Sequence, residues 1–154
     1  MPFKLLITGK TVDSSIIAAM EIFISRIRKY HKLTIDEITV KKGVADLNLQ
    51  KKSEAVQLLS RIRSQDHVIL LDEKGKEYSS VEFSGRIEKI QIQSAGDIVF
   101  VIGGAHGFDV SVYNRANELL SLSKMTFTHQ MVRLIFIEQL YRAFTIINNE
   151  NYHH

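Results

Sequence analysis

Residues 97–107 read Asp-Ile-Val-Phe-Val-Ile-Gly-Gly-Ala-His-Gly. From Ile98 to Ile102 every residue is apolar, and all but Phe100 are β-branched. A short run that is apolar at every position suits a strand covered on both faces, and glycines then end it. Working outward, strand-like and helix-like patterns alternate. Toward the N-terminus, Ser79–Ile92 predicts a helix capped by Ser79 or Ser80. His67–Leu71 predicts a buried strand ending in Asp72-Glu73-Lys74-Gly75, and Ser53–Arg63 a helix opened by Ser53. Residues 41–50 read as a polar, lysine-rich connection. Leu33–Val40 predicts a strand, Ser14–Tyr30 a helix capped by Asp13 or Ser14, and Phe3–Thr8 a strand closed by Gly9. Toward the C-terminus, Val110–Leu120 reads as a helix, Leu122–Phe127 as a short strand or extended loop, and Gln130–Asn148 as a long helix.

This alternation, with no internal repeat and no linker, predicts one α/β domain over residues 1–154. Its sheet should be mainly parallel, with right-handed crossovers and helices on both faces. Ligands of such sheets sit beyond the carboxyl ends of the strands. Two of those ends carry glycines: Gly75, and the group Gly103, Gly104 and Gly107. Glycine lets backbone approach a ligand closely, although tight turns use it equally well.

Composition removes several classes of function. The 154 residues are 45% hydrophobic and 24% charged, enough apolar content to exclude a disordered chain. Without cysteine there are no disulfides, thiol nucleophiles or Cys-based zinc sites. The histidines at 31, 67, 106, 129, 153 and 154 lack metal-ligand spacing, so no metal is expected. Phosphate-binding glycine motifs and a G-x-S-x-G elbow are also missing. The opening MPFKLLITGK has no signal-peptide pattern, and Arg133, Glu138 and Arg142 interrupt the apolar stretch 131–147. A cytoplasmic protein without a membrane span is therefore expected.

The net charge is +3, and its basic excess lies in residues 1–77. Lys41, Lys42, Lys51 and Lys52 are candidate contacts for the phosphates of a polyanion, unless they form only a solvated face. The last helix is apolar around most of its girth, which predicts burial on two sides and hence a homodimer. The remaining polar residues cluster toward the C-terminus: His129, Arg133, Arg142, Tyr152 and His153. Their plain reading is structural. Arg142 would pair with Glu138 at i,i+4, and the last four residues would fray.

Several stretches occur together in the order and spacing of one family. They are Leu71-Asp-Glu-Lys-Gly-Lys76, Val101-Ile-Gly-Gly-Ala-His-Gly107, Leu122-Ser-Lys-Met-Thr-Phe-Thr-His-Gln130, Glu138-Gln-Leu-Tyr-Arg-Ala143 and Tyr152-His153. The opening Leu5-Leu-Ile-Thr-Gly-Lys10 fits as well. Over essentially its whole length the chain resembles the RlmH family, bacterial large-subunit ribosomal RNA methyltransferases of the SPOUT superfamily.

The resemblance implies a C-terminal trefoil knot, a homodimer, and methyl transfer from S-adenosylmethionine (SAM) to N3 of a pseudouridine on assembled ribosomes. It places the cofactor on Leu71, Gly103, Leu122, Ser123, Lys124, Met125, Thr126 and Phe127. The acceptor is an imide nitrogen, which attacks well only after losing its proton. Arg142, Tyr152, His153 and His129 are the candidate catalytic residues for that task, with Arg133 in support as an RNA contact. Thr128 and Asn151 stand where the family usually has proline, and the chain ends in His154 where a basic residue is common. Two other readings remain: a non-catalytic ribosome- or RNA-binding protein of this fold, and a SPOUT enzyme for another RNA acceptor, such as a tRNA base.

Overall fold

The computed structural model describes residues 1–40, 43 and 45–154. In chain order they form β1 (Phe3–Thr8), α1 (Ser14–Ile27), β2 (Leu33–Ile38), α2 (Leu47–Leu59), β3 (His67–Glu77), α3 (Ser80–Gln93), β4 (Ile98–Ile102), α4 (Val110–Arg115), β5 (Glu118–Ser121) and α5 (His129–Ile147). The strands make one sheet in the order β2-β1-β4-β3-β5, and every pairing is parallel. The α/β expectation with a parallel sheet therefore holds.

Side-chain alternation explains the layers. Phe3, Leu5 and Ile7 of β1, and Ile98, Phe100 and Ile102 of β4, pack into one core with α1, α3 and α5. Leu6, Val99 and Val101 point the other way, toward Ala55 and Leu58 of α2 and Val112 of α4. Phe100 is fully buried, and such burial is worth roughly 1.5–3 kcal/mol.

Several boundaries differ from the sequence reading. Helix α2 begins at Leu47, because Asp46 caps it by accepting hydrogen bonds from the backbone N–H of Asn48 and Leu49. Lys51 and Lys52 therefore ride on a helix, while Lys41 and Lys42 lie outside the described residues. Helix α4 stops at Arg115, and Glu118–Ser121 is a strand instead of helix. Asn117 makes the switch: its side-chain oxygen accepts from Val68 N (2.8 Å), and its N–H donates to Val68 O (2.8 Å).

Strand β3 also continues past Leu71, with a register jump between Leu71 and Lys76 opposite Leu120. Residues 72–75 bulge out of the ladder. Gly75 returns so close to β5 that a Cβ there would sit 2.5 Å from Leu120 backbone.

Helix α5 corrects the argument from its apolar girth. It packs against both α1 and α3 of the same chain. Phe136, Ile137, Leu140, Ala143 and Phe144 are buried in that core. The girth is thus largely covered without a second subunit. Among the described residues, no helix is long and apolar enough to cross a membrane.

Candidate active site

A cleft of about 940 Å³ opens beyond the carboxyl ends of β3, β4 and β5. Three segments wall it: the β3 bulge, the β4–α4 loop, and the loop from β5 into α5. Leu71, Gly103, Leu122, Ser123, Lys124, Met125, Thr126 and Phe127 all line it, although they come from three separate stretches of sequence. His129, the first residue of α5, stands on its wall. Leu71, Leu122 and Phe127 are half-buried, whereas Lys124, Met125 and Thr126 are exposed.

Local bonds shape this wall. Ser121 Oγ donates to Ser123 O (3.1 Å), and Ser123 Oγ accepts from Met125 N (2.9 Å). Thr128 Oγ1 accepts from Met131 N at 3.2 Å and so caps α5. Threonine here secures the turn by capping, in place of proline's rigidity. At Gly103, an added Cβ would lie 2.8 Å from the Phe108 ring. That glycine is needed for Phe108 to pack beneath the loop.

Two carboxylates in the cleft, Asp72 and Glu73, escaped the sequence reading. Asp72 accepts from Lys74 N (2.8 Å) and from the Tyr113 hydroxyl. Burial, and then this bond to Asp72, push the Tyr113 pKa up to about 12. The sequence signals for Asp72 were its place at the end of a buried apolar run and within the stretch Leu71–Lys76 shared with the family.

A second group forms around Glu138. Arg142 donates to Glu138 Oε1 from Nε (3.1 Å) and Nη2 (2.6 Å). Tyr152 donates to the same oxygen (3.0 Å). The Arg142 guanidinium lies 4.8 Å from the Tyr152 ring centre, and its Nη1 is 3.3 Å from His153 Nδ1. Loss of hydration, then the neighbouring His154 and Arg142, lower the His153 pKa. Burial, then Glu138, raise that of Tyr152.

The tail carrying Tyr152 and His153 is pinned back and does not fray. Asn149 adopts φ 56°, Glu150 N donates to Thr145 O (2.9 Å), and Tyr30 donates to Glu150 Oε2 (2.6 Å). Asn151 therefore replaces proline without freeing the tail.

The two groups do not meet within one chain. Arg142 lies thirteen residues beyond His129 on α5, about 20 Å along an α-helix. Arg133 is not on the exposed surface, being 1% accessible. Lys51 borders the cleft, and Lys52 is exposed on α2. Among the described residues, no His, Asp and Glu group could hold a metal ion.

A family model described as "Predicted SPOUT methyltransferase" matches residues 1–153. The chain is 47% identical over 156 aligned residues to ribosomal RNA large subunit methyltransferase H of Christiangramia forsetii, covering 100% of this chain and 99% of that one. At the same coverage it is 44% identical to the protein of that name from Phocaeicola vulgatus and 42% identical to that from Porphyromonas gingivalis. The Legionella pneumophila protein Lpg2936, solved with bound SAM, matches with a TM-score of 0.48 and 12% identity, over 92% of this chain and 67% of that one. By full-length similarity to these methyltransferases, the chain belongs to the ribosomal RNA large subunit methyltransferase H (RlmH) family within the SPOUT group.

Proposed function

We propose that this chain, acting in the cytoplasm as a homodimer of single SPOUT domains with a C-terminal trefoil knot, transfers a methyl group from SAM to N3 of a pseudouridine in large-subunit ribosomal RNA on assembled ribosomes. One observation carries the reading: the eight residues that the resemblance assigns to the cofactor converge on a single cleft at the strand ends.

The cleft suits the cofactor chemically. Leu71, Leu122 and Phe127 offer apolar surface to a flat adenine, and backbone groups of residues 122–127 can read its polar edge. Asp72 and Glu73 suit a ligand that carries positive charge and hydroxyls. Bound there, SAM supplies an electrophilic methyl group.

The chain's own residues handle the acceptor. Arg142 is permanently charged and can hold a carbonyl oxygen of the imide as negative charge develops on it. A guanidinium only donates, so His153 presents its Nδ1 lone pair to Arg142. When the acceptor oxygen draws Arg142 away, Nδ1 is released to take the imide proton. The lowered His153 pKa keeps the imidazole neutral, as a base requires. Tyr152 can stack on the base.

The separation along α5 favours a two-chain site. One protomer would supply the cleft, and its partner would bring Arg142, Tyr152 and His153. Calorimetry with SAM and methylation of ribosomes that lack the modification test the assignment. Arg142→Ala and His153→Ala should both bind SAM with unchanged affinity and lose methylation. Full activity in either variant removes that residue from the mechanism, and failure of the wild-type chain to bind SAM sinks the reading.

A further inference from the structure

A second pocket, of about 280 Å³, adjoins the cleft. It lies at the ends of β1 and β4, between Thr8–Lys10, the N-terminal half of α2 and the Gly104–Gly107 loop. That loop and His129 also line the cleft, so the two spaces share a wall.

Arg133 lines this pocket at 1% exposure. Its Nη1 donates to Thr11 Oγ1 (2.8 Å), and its Nη2 donates to Thr8 O (3.0 Å). A guanidinium has five N–H groups, so these two bonds, among the described residues, engage fewer than half of its donors. Among the described residues, its Nε is buried without a partner, and so is the hydroxyl of Thr8. None of the ion pairs among those residues includes Arg133. Glu37 acts on it only through space, and its Oε2 accepts from Thr11 N at 3.1 Å.

A buried charge with no directly bonded counter-ion among the described residues is costly, and the loss of hydration lowers the Arg133 pKa more than the Glu37 carboxylate, acting through space, raises it. Lys10 and Lys51 add positive charge at the pocket. Its one carboxylate, Glu54, is engaged by Gln50 Nε2 at 3.1 Å. The pocket therefore offers unused donors and excess positive charge to an anion.

We propose that this pocket binds a phosphate group of a polynucleotide, next to the nucleotide whose base enters the cleft. A planar guanidinium fork matches phosphate oxygens, and the Thr8 hydroxyl can donate beside it. An enzyme acting on a base takes that base out of the stack, and a gripped neighbouring phosphate fixes its register. The polynucleotide's identity rests on the methyl-transfer reading, whereas the oxyanion site stands on the geometry of Arg133 and Thr8. Lys10 is exposed at the pocket's edge, where a polyanion would arrive.

The test titrates the full-length protein with inorganic phosphate, a short oligouridylate and SAM, each at constant ionic strength. Wild type should bind the first two. Arg133→Lys keeps the charge and loses the fork, while Lys10→Gln leaves the core untouched should the first variant fold poorly. Each should weaken both phosphate and oligouridylate binding about tenfold, the worth of one charge-assisted hydrogen bond. SAM affinity should stay unchanged.

Phosphate binding that is absent, or equal in all three proteins, overturns the proposal. So does a loss confined to free phosphate, or a loss of SAM affinity with phosphate competing, which would assign the pocket to the cofactor's carboxylate. If wild type binds phosphate as expected but no SAM, the methyl-transfer reading fails and the oxyanion site stands.

Discussion

Two variants, each deficient in one half of the site, should restore one another when mixed. Thr126 is exposed on the cleft wall, so Thr126→Arg adds bulk and positive charge against a cationic cofactor without disturbing the core. Arg142→Ala removes the guanidinium from the other cluster. Loss of one donor to a developing anion typically lowers turnover about 10²–10³-fold, so the second variant alone should be nearly silent. The halves lie about 20 Å apart along α5, a gap that no side-chain rotation closes. In an equimolar, fully exchanged mixture half the dimers are hybrid, and each hybrid holds one intact cleft opposite one intact tail. Activity should therefore recover to about a quarter of wild type under two-fold symmetry. The assay is methyl incorporation into ribosomes, with differently tagged subunits confirming exchange. A mixture with verified hybrids that stays at the mean of its parents would refute the two-chain site.

Two further perturbations test the frame. Gly75→Ala should force β3 and β5 apart, since its Cβ would lie 2.5 Å from Leu120 backbone. A loss of about 1–3 kcal/mol in urea unfolding, together with weaker SAM binding through the displaced bulge, is expected. Unchanged stability would show that the strands have slack. Glu118 accepts from Arg86 Nε (2.9 Å) and pairs with His67 Nε2 (2.5 Å). Burial alone would raise its pKa, but these partners bring it below the ordinary carboxylate value. Its contribution is therefore present above that value and is lost as pH falls through the lowered folded one. Glu118→Gln should cost about 1–3 kcal/mol near neutrality, with a difference that shrinks in acid. A pH-independent difference would mean that the carboxylate's charge is irrelevant.

Much of the frame was legible in the sequence, for identifiable reasons. Ile98–Ile102 is apolar throughout, so its central position between two layers of helices could be read directly. Ser79 announced α3 as a cap, and the structure adds the reciprocal bond from Ser79 N to Glu82 Oε2 (2.7 Å). Helix α2 was partly hidden because Asn48, Gln50, Lys51 and Lys52 blur its periodicity, leaving Asp46 as its one marker. The α4–β5 boundary was illegible because Leu119-Leu120 fits either period, and the decision falls to Asn117 binding Val68 far away in sequence. The cofactor wall could be listed only from the family resemblance, since residues 122–127 have no pattern of their own. Arg133 looked like a surface contact because sequence cannot show that the Thr8–Thr11 turn folds over it.

Helix α5 also works as a ruler. Its first residue faces the cleft and its middle carries Arg142, so the helix fixes both the spacing and the angle between them. One inserted residue would shift the later cluster by about 1.5 Å and swing it through roughly 100°. The face carrying Glu138 and Arg142 would then turn from its present bearing relative to the cleft toward a side of the helix that packs against α1 or α3. Evolution and engineering can therefore repaint this rod but not change its length.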